Sequence, residues 1–525
     1  MNQEIPNIQY PNFKFDILDR DPNSNARTGL LHTPHGNVET PNFIFCATKA
    51  AIKGVTMDQM RAEGTQFILS NTYHLMLAPG EEIVHKLGGL QKMTSWRGPM
   101  LTDSGGYQIF SMGHGSVAEE IKGNRKMENA GMNKTLVSID EVGAKFRSYV
   151  DNTIHELTPE RSIDIQRKLG ADIILVLDEC TPFHVPKNYT EESTRRSHRW
   201  ADRSLRRFAA TTNGEQALYG IVQGGIYKHL RMESAAYVNS RPFFGIAIGG
   251  SLGADKQQMY SIVAFTRAQL RNDCPIHLLG IGGIRDIFHG VRQGIDTFDC
   301  VHPTRLGRHG GALVMAAHWD EEQHDDPSFQ PPQLQIAATM TEKRVRNEES
   351  RLKTFRQRKG KIQKQLMYFS RAAHQHEQRQ LHQRQEHSAQ QRPMDGNPQE
   401  MVDRLRDEMV VLEQNIVHSL QVIEKEKELL RVRREKIMKQ TMVRPVSEDI
   451  YLKKAKFSTD PRPIDPNCEC STCRNYSRAY LHHLVKVDEM IASTLLTIHN
   501  VHFMNKLMQR IRQVILSALS LSGGV

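Results

Sequence analysis

Three of the chain's seven cysteines fall within six positions, in Cys468-Glu-Cys470-Ser-Thr-Cys473. Three thiolates at that spacing can wrap one soft cation, and in a reducing compartment the cluster reads as a metal site rather than a disulfide framework. A closed tetrahedral site needs a fourth ligand. His499 is one choice, and His482, His483 and His502 compete with it. Nothing in the cluster suggests an open coordination position, so the expected role is structural, pinning the C-terminal helices to the loop before them. The plain alternative is three cysteines unrelated to a metal, and a structural role for each histidine taken singly.

Carboxylates form the second group. Asp103 stands in Leu-Thr-Asp-Ser-Gly-Gly-Tyr, Asp178 follows an apolar run, and Asp299 ends another in Thr-Phe-Asp-Cys. The glycines after Ser104, Gly105 and Gly106, let backbone approach a ligand closely. Singly, an aspartate after a strand is most often a helix cap or loop residue. Three at the C-terminal ends of barrel strands would converge on one mouth. Two carboxylates at a glycosidic carbon act as nucleophile and acid/base through an oxocarbenium-like transition state. That chemistry names no substrate. The Gly-rich pieces at 222–225, 248–250 and 280–283 read as tight turns, and none matches a dinucleotide or P-loop pattern in the required setting.

The elements that must position these groups are short. Apolar runs ending in Gly or a polar residue recur at 67–71, 100–103, 173–178, 218–223, 243–249, 277–280 and 297–299. Amphipathic stretches such as 159–169 and 191–209 lie between several of them. This alternation predicts a parallel sheet. Polar residues at the strand ends favour a closed (β/α)8 TIM barrel over a doubly wound open sheet.

After residue 319 the texture changes. Residues 320–333 read as an acidic, proline-bearing linker. Apolar residues then recur at Val345, Leu352, Phe355, Ile362, Leu366, Phe369 and Ala373, and after the turn formers of 391–398 at Val402, Leu405, Met409, Leu412, Ile416, Ile423 and Leu430. This heptad seam predicts an antiparallel α-helical hairpin, a coiled coil with arms of roughly 40–45 residues, about 65 Å each. Glu348 and Lys359 interrupt the first seam, and a partly disordered polar segment is the alternative. Globular texture returns at Asp449, with a final helical part over 476–521. The expected domains are 1–317 for the catalytic barrel, 318–447 for linker and hairpin, and 448–525 for a zinc-binding subdomain and the last barrel helices.

The net charge of +10 is uneven, with 13 Lys+Arg against 5 Asp+Glu over 341–390 and ten against ten over 391–440. The rest is close to balanced, so basicity alone does not indicate an RNA partner. No apolar run approaches the ~20 residues needed to cross a bilayer. The N-terminus lacks a basic start followed by an apolar stretch, which makes the cytoplasm the expected compartment.

In combination, Leu101-Thr-Asp-Ser-Gly-Gly-Tyr-Gln108, Asp178-Glu-Cys180, Gly220-Ile-Val-Gln-Gly224, Phe298-Asp-Cys-Val301 with Pro303-Thr-Arg305, and the segment from Cys468 to His483 resemble the tRNA-guanine transglycosylases. The resemblance spans about 10–316 and 449–515. It implies a barrel enzyme with one structural Zn2+, working as a homodimer. The implied reaction replaces guanine at the tRNA wobble position with a 7-deazaguanine, either queuine or its precursor. It also implies roles. Asp299 would be the nucleophile that holds the tRNA covalently, and Asp103 the general acid/base. The purine would lie against Tyr107, beside Ser104, Gly105 and Gly106, with Asp178, Gln223 and the backbone at Gly250 reading its edge. Asn71 and Gln108 would support the carboxylates. Gly280, Ile281, Gly282, Gly283, Ile284, Arg285 and Asp286, with Thr304, Arg305, Leu306, Gly307 and Arg308, correspond to segments that touch the tRNA. Arg305 and Arg308 suit phosphate. Among the histidines, the resemblance selects His499 as the fourth ligand.

The chain departs from the family pattern at Ser251, where leucine is usual, and at Leu279, where methionine is common. Cys180 is bacterial-like, whereas Gly253 stands where eukaryotic members carry glycine. The mixture leaves the incoming base open, with the precursor slightly favoured. The insertion at 318–447 has no family counterpart, and a smaller polar excess at 114–134 is expected to be a surface loop. The hairpin has three readings: an inert solvated spur, a second tRNA contact, or a protein-interaction coil. A charge run at helical spacing is most often a solvated face. Two rival functions stand beside the enzyme reading. A non-catalytic tRNA-binding or scaffold subunit is opposed by the presence of both Asp103 and Asp299. A carbohydrate glycosidase is opposed by the cysteine cluster and the 304–308 segment.

Overall fold

A computed structural model describes residues 5–108, 136–181, 185–314, 333–385, 398–441 and 448–522. The loop expected at 114–134, the linker up to 332 and the turn cluster up to 397 lie outside these residues. Two compact units are present, Met1–Met315 with Glu448–Val525, and Ala316–Ser447.

The first unit opens with an antiparallel sheet of β1 (Lys14–Arg20), β2 (Arg27–Thr33) and β3 (Gly36–Thr40). The chain then lays down β4 (Asn42–Cys46), β5 (Ile68–Ser70) and β6 (Met100–Thr102). A second antiparallel sheet, β7 (Leu136–Ile139), β8 (Ala144–Arg147) and β9 (Ile154–Leu157), interrupts the series. It resumes with β10 (Ile173–Leu175), β11 (Ala217–Val222), β12 (Gly245–Ile248), β13 (Ile276–Leu278) and β14 (Thr297–Cys300). The two runs form one closed, all-parallel barrel, with β14 pairing back onto β4 through Asp299 opposite Ile44. These strands are buried along nearly their whole length, as continuous apolar runs in a doubly covered parallel sheet must be. The barrel is the expected architecture. Its closing strand β4 was not among the expected runs, because Asn42-Phe-Ile-Phe-Cys46 follows Pro41 directly, with no helix before it and no glycine after it.

Local signals set the helix ends. Thr158 caps the helix Pro159–Leu169 by accepting from the Arg161 N–H, and Gly170 closes it in the left-handed region at φ +78°. Its bounds are those expected. The helix Lys187–Thr211 starts four residues before the expected 191, since its polar first turn carries no apolar periodicity. The helical part expected over 476–521 consists of two helices, Arg478–Lys486 and Met490–Ser522, separated by a break in which Asp488 has φ +59°. The long C-terminal helix packs on the helix His302–Arg308 and on β1, β2 and β4. Gly307 permits this approach, because a Cβ there would lie 2.8 Å from the Thr497 nitrogen. Strands β15 (Gly311–Leu313) and β16 (Asp449–Tyr451) pair antiparallel, bringing the residues on either side of the insertion together. The return strand stops at Tyr451, and Ala455–Phe457 forms a 3-10 turn.

The second unit holds the helices Gln333–Gln385 and Pro398–Thr441. The first has 53 residues rather than 40–45, because it begins at Gln333, well before the first seam residue Val345, where Leu334-Gln-Ile-Ala-Ala favours helix. Val345, Leu352 and Ile362 on one arm and Val402, Leu405, Leu412 and Ile423 on the other are buried. The arms run antiparallel, with Lys359 paired to Glu413 and Lys427 to Glu349, both at 2.7 Å. The two residues that interrupt the seam are answered across it: Glu348 accepts from the Ser419 hydroxyl at 3.3 Å, and Lys359 makes the ion pair above. Residues 350–376 carry eight Lys or Arg and no acid. Three of the eight, Arg351, Arg358 and Lys359, are paired to glutamates of the hairpin.

Leu412→Ala is expected to cost the hairpin about 2–5 kcal/mol. Hydrogen exchange of the amides over 345–430 should accelerate by more than tenfold while barrel amides keep their protection. Unchanged exchange in the hairpin would contradict the buried seam.

Candidate active site and metal centre

Because all eight barrel strands are parallel, their C-terminal ends share one mouth. Asn71 follows β5, Asp103 follows β6, Gln223 follows β11 and Gly249 follows β12, while Asp178 lies three residues beyond β10 and Asp299 within β14. The sequence-expected polar groups are therefore brought together by strand direction alone.

Asp103 is held from several sides. Its Oδ1 accepts the backbone N–H of Thr72 at 2.9 Å, and its Oδ2 accepts the side-chain amides of Gln108 at 3.1 Å and Asn71 at 2.5 Å. Asn71 also caps the helix Thr72–Leu77 through its own Oδ1, which turns its NH2 group toward Asp103. Burial pushes the Asp103 carboxyl up to about 7, against the Thr72, Gln108 and Gly105 hydrogen bonds and with a further push from the charge of Asp299. The Asp299 carboxylate is buried, and its Oδ1 accepts the Gly280 N–H at 2.7 Å. Its Oδ2 lies 3.7 Å from the Cys46 thiol. On the other side, Nε2 of the fully buried His277 stands 3.2 Å from Oδ1.

A second polar cluster adjoins the first. Asp178 Oδ2 accepts from the Gln223 amide at 2.5 Å, and its Oδ1 accepts from the Ser104 hydroxyl at 3.4 Å. Burial raises the Asp178 carboxyl to about 6, opposed by those two bonds. Backbone comes very close here. A Cβ on Gly250 would lie 2.3 Å from Gln223 Oε1, and one on Gly106 would lie 2.5 Å from the Asp178 carbonyl oxygen. Tyr107 is exposed at the same mouth. Under the two Gly-rich turns lies Arg231, with no exposed surface. Its guanidinium donates to the carbonyls of Gly225 (2.7 Å), Gly249 (2.8 Å), Val222 (3.2 Å) and Ser251 (3.3 Å). Burial lowers it to about 10, so it stays charged at neutral pH and is balanced by carbonyl dipoles. Four donors on four carbonyls hold both turns rigid.

Residues 280–286 and 304–308 divide by exposure. Arg285 and Arg305 are exposed, Arg308 is half-buried, and Gly280, Ile281 and Gly283 are open to solvent in part. Gly282, Ile284, Thr304, Leu306 and Gly307 are buried. Asp286 is also buried, accepting from Lys256 at 2.6 Å and from Tyr260 at 2.9 Å. The buried members support the surface and the exposed arginines present it. His277, Cys46 and Arg231 escaped the sequence reading. The available signal was a polar residue inside an apolar strand for His277, and for Arg231 a cation on the inward face of its helix.

The cysteine cluster gathers as the spacing implied. The ligand atoms of Cys468, Cys470, Cys473 and His499 all lie within 4.8 Å of one another, and His499 Nδ1 is 3.6, 3.6 and 3.3 Å from the three sulfurs. His482 is turned away, its Nδ1 2.7 Å from the Leu452 carbonyl, and His502 Nδ1 sits 2.7 Å from Glu63. His499 Nε2 is 2.8 Å from the Leu313 carbonyl, which can only accept. The ring proton therefore sits on Nε2, leaving the Nδ1 lone pair facing the sulfurs. Zinc bonds of about 2.3 Å to sulfur and about 2.05 Å to nitrogen, at the tetrahedral angle, separate S and N by about 3.6 Å. The donor set and its spacing fit such an ion.

The sequence profile of the family described as queuine tRNA-ribosyltransferase matches residues 21–354 and 427–518, leaving the inner part of the hairpin unmatched. A queuine tRNA-ribosyltransferase of Roseiflexus sp. is 37% identical over 511 residues, covering 96% of each chain. One from Protochlamydia amoebophila is 43% identical over 302 residues, 58% of this chain and 77% of that one. One from Prochlorococcus marinus is 33% identical over 490 residues, 93% of this chain and 90% of that one. With its parallel barrel, paired aspartates and Cys3His cluster, the chain belongs to the queuine tRNA-ribosyltransferases, a family of pentosyltransferase enzymes.

Proposed function

We propose that this protein exchanges guanine at the tRNA wobble position for a 7-deazaguanine base, through a covalent tRNA intermediate on Asp299. The observation that carries this reading is the meeting of two buried carboxyl groups, Asp103 and Asp299, at one mouth. Asp299 Oδ1 accepts the Gly280 N–H and leaves Oδ2 facing the mouth, while burial raises Asp103 to about 7. The Asp299 carboxylate attacks the ribose anomeric carbon as the bond to guanine breaks, and Asp103 gives its proton to the departing base. Asp103, now ionised, takes the proton of the incoming base, whose nitrogen displaces the Asp299 carboxylate. Asp178, Gln223 and the backbone at Gly250 read the base edge against Tyr107, and Arg231 keeps those turns in place. Arg285, Arg305 and Arg308 meet phosphate. Cys180 favours the queuine precursor as incoming base. The resemblance behind this reading also implies a homodimer working in the cytoplasm. The Cys3His site would hold one structural zinc.

A base-exchange assay tests the reading directly. Labelled guanine, the precursor and queuine are offered separately, with cognate tRNA, to the wild type and to Asp299→Ala. The wild type should exchange, and the variant should lose at least about 10³-fold. A fully active variant, or a wild type that exchanges no base, would sink it.

The raised Asp103 carboxyl fixes the sign of the pH dependence. It is protonated below about 7 and can donate, and is ionised above it and can accept. Guanine release in a single turnover should therefore fall as pH rises through 7, while addition of the incoming base should fall as pH drops through it. Gln108→Leu removes a hydrogen bond that lowers this pKa, so both limbs should move to higher pH.

Cys473→Ser, or treatment with a strong chelator, should reduce metal content from one zinc per chain to none by elemental analysis. It should also lower the melting temperature by several degrees, because binding energy at a structural site is folding energy. Retained zinc in the variant would contradict the ligand assignment.

A further inference from the structure

The mouth holds one buried polar group that the proposed chemistry has not used. His277 sits in β13 opposite Thr297 of β14 and has no exposed surface. Thr297 and Asp299 are two residues apart on one strand, so both face inward with His277. His277 Nδ1 lies 2.9 Å from the Thr297 hydroxyl, and Nε2 lies 3.2 Å from Asp299 Oδ1. Yet Nε2 makes no hydrogen bond in this geometry. A buried ring nitrogen left unsatisfied beside a carboxylate is costly, and a small rotation of that carboxylate would align it.

Resting on the reading of Asp299 as nucleophile, we propose that His277 is a positioning residue that assigns the two Asp299 oxygens different tasks. Nε2 faces a carboxylate oxygen, which only accepts, so the ring proton belongs on Nε2, aimed at Oδ1, and the Thr297 hydroxyl donates to Nδ1. Oδ1 also receives the Gly280 N–H at 2.7 Å. Oδ2 meets only the Cys46 thiol, at 3.7 Å, among the described residues. Oδ2 is therefore the attacking oxygen. In the first half-reaction the Oδ2–carbon bond forms, the bond from the anomeric carbon to guanine breaks, and guanine leaves with the Asp103 proton. Oδ1 becomes the ester carbonyl oxygen, still facing both donors. In the second half-reaction the incoming base nitrogen bonds to that carbon, its proton goes to Asp103, and the electron pair of the broken bond returns to the carboxylate. Two N–H groups on Oδ1 stabilise that returning charge, so His277 acts most strongly on release of the covalent adduct. The other titratable groups facing Asp299 are Cys46 from β4, Asp103 across the mouth, Tyr107 and the adjacent Cys300.

The test uses the full-length protein with His277→Leu, His277→Gln and Thr297→Val. For each, kcat, the KM for tRNA, the melting temperature and the fraction of enzyme carrying covalent tRNA on a denaturing gel are measured at steady state. His277→Leu should lower kcat by about 10²-fold with KM for tRNA within about twofold, and adduct should accumulate above the wild-type level. His277→Gln keeps an N–H donor and should recover most of the rate, while Thr297→Val should fall between. Wild-type rates and adduct levels in all three variants overturn the proposal. So does equal loss in the Leu and Gln variants with lowered melting temperature and no extra adduct, the signature of a purely structural residue. A wild type that exchanges base but forms no adduct overturns both this proposal and the nucleophile reading. An ordinary wild-type adduct with no accumulation in His277→Leu overturns this proposal alone.

Discussion

A single buried ion pair underlies the barrel's geometry. Arg27, on β2, and Asp296, one residue before β14, have no exposed side-chain surface and meet as a two-pronged fork, with contacts of 2.8 and 2.5 Å. The same guanidinium donates to the carbonyls of Asn272 and Cys274, and Asp296 also accepts the Ile276 N–H at 2.7 Å. One charge pair thus ties the N-terminal sheet to the starts of β13 and β14, the strands that carry His277 and Asp299. Buried pairs seldom add much net stability, but removing one partner strands the other charge at a cost of about 3–5 kcal/mol. What this pair supplies is register. β14 must meet β4 on one side and β13 on the other, and the placing of Asp299 beside His277 follows from that alignment.

At the opposite end of those strands, burial acts on each charged group, and the neighbouring hydrogen bonds decide how far. Asp103 and Asp178 are lifted by burial, each against hydrogen bonds that favour its ionised form. Arg231 takes another route: a full charge is buried without a carboxylate, its cost offset by four carbonyl oxygens whose positions it thereby fixes. Rigid backbone at Gly249 and Gly250 is needed where a Cβ would collide with Gln223. The cation beneath the turns and the absence of side chains above them are two parts of one arrangement.

The insertion leaves and rejoins the first unit at paired strands, β15 and β16, so the surrounding backbone bonds need not change to accommodate it. Its point of departure is also the point held by the Cys3His cluster. Leu313 donates its N–H to Asn500 and gives its carbonyl to His499, and Asn500 reaches on to the carbonyls of Pro303 and Gly311. The Cys3His cluster is therefore connected through two residues of the last helix to the segment that follows Asp299. The hairpin in turn buries its own apolar seam.

Much of this was legible in the residues alone. Aspartates at the ends of apolar runs, three cysteines within six positions and a heptad seam are local patterns, and each survives in the structure because strand direction, loop reach and helical period are local properties. The parts that were not legible share another character. That β4 closes the barrel, that His277 faces Asp299, that Arg231 clamps two distant turns and that Leu313 orients His499 all depend on residues up to 255 positions apart meeting in space. The spacing left four histidines as possible fourth ligands, and family resemblance was needed to choose one. In three dimensions the choice is made by distance, since His499 Nδ1 lies 3.6, 3.6 and 3.3 Å from the three sulfurs. By itself the sequence determined which chemical groups the chain owns and the elements that carry them. The tertiary structure decided which of those groups meet, because contact energies between residues distant in sequence exist only once the barrel has closed.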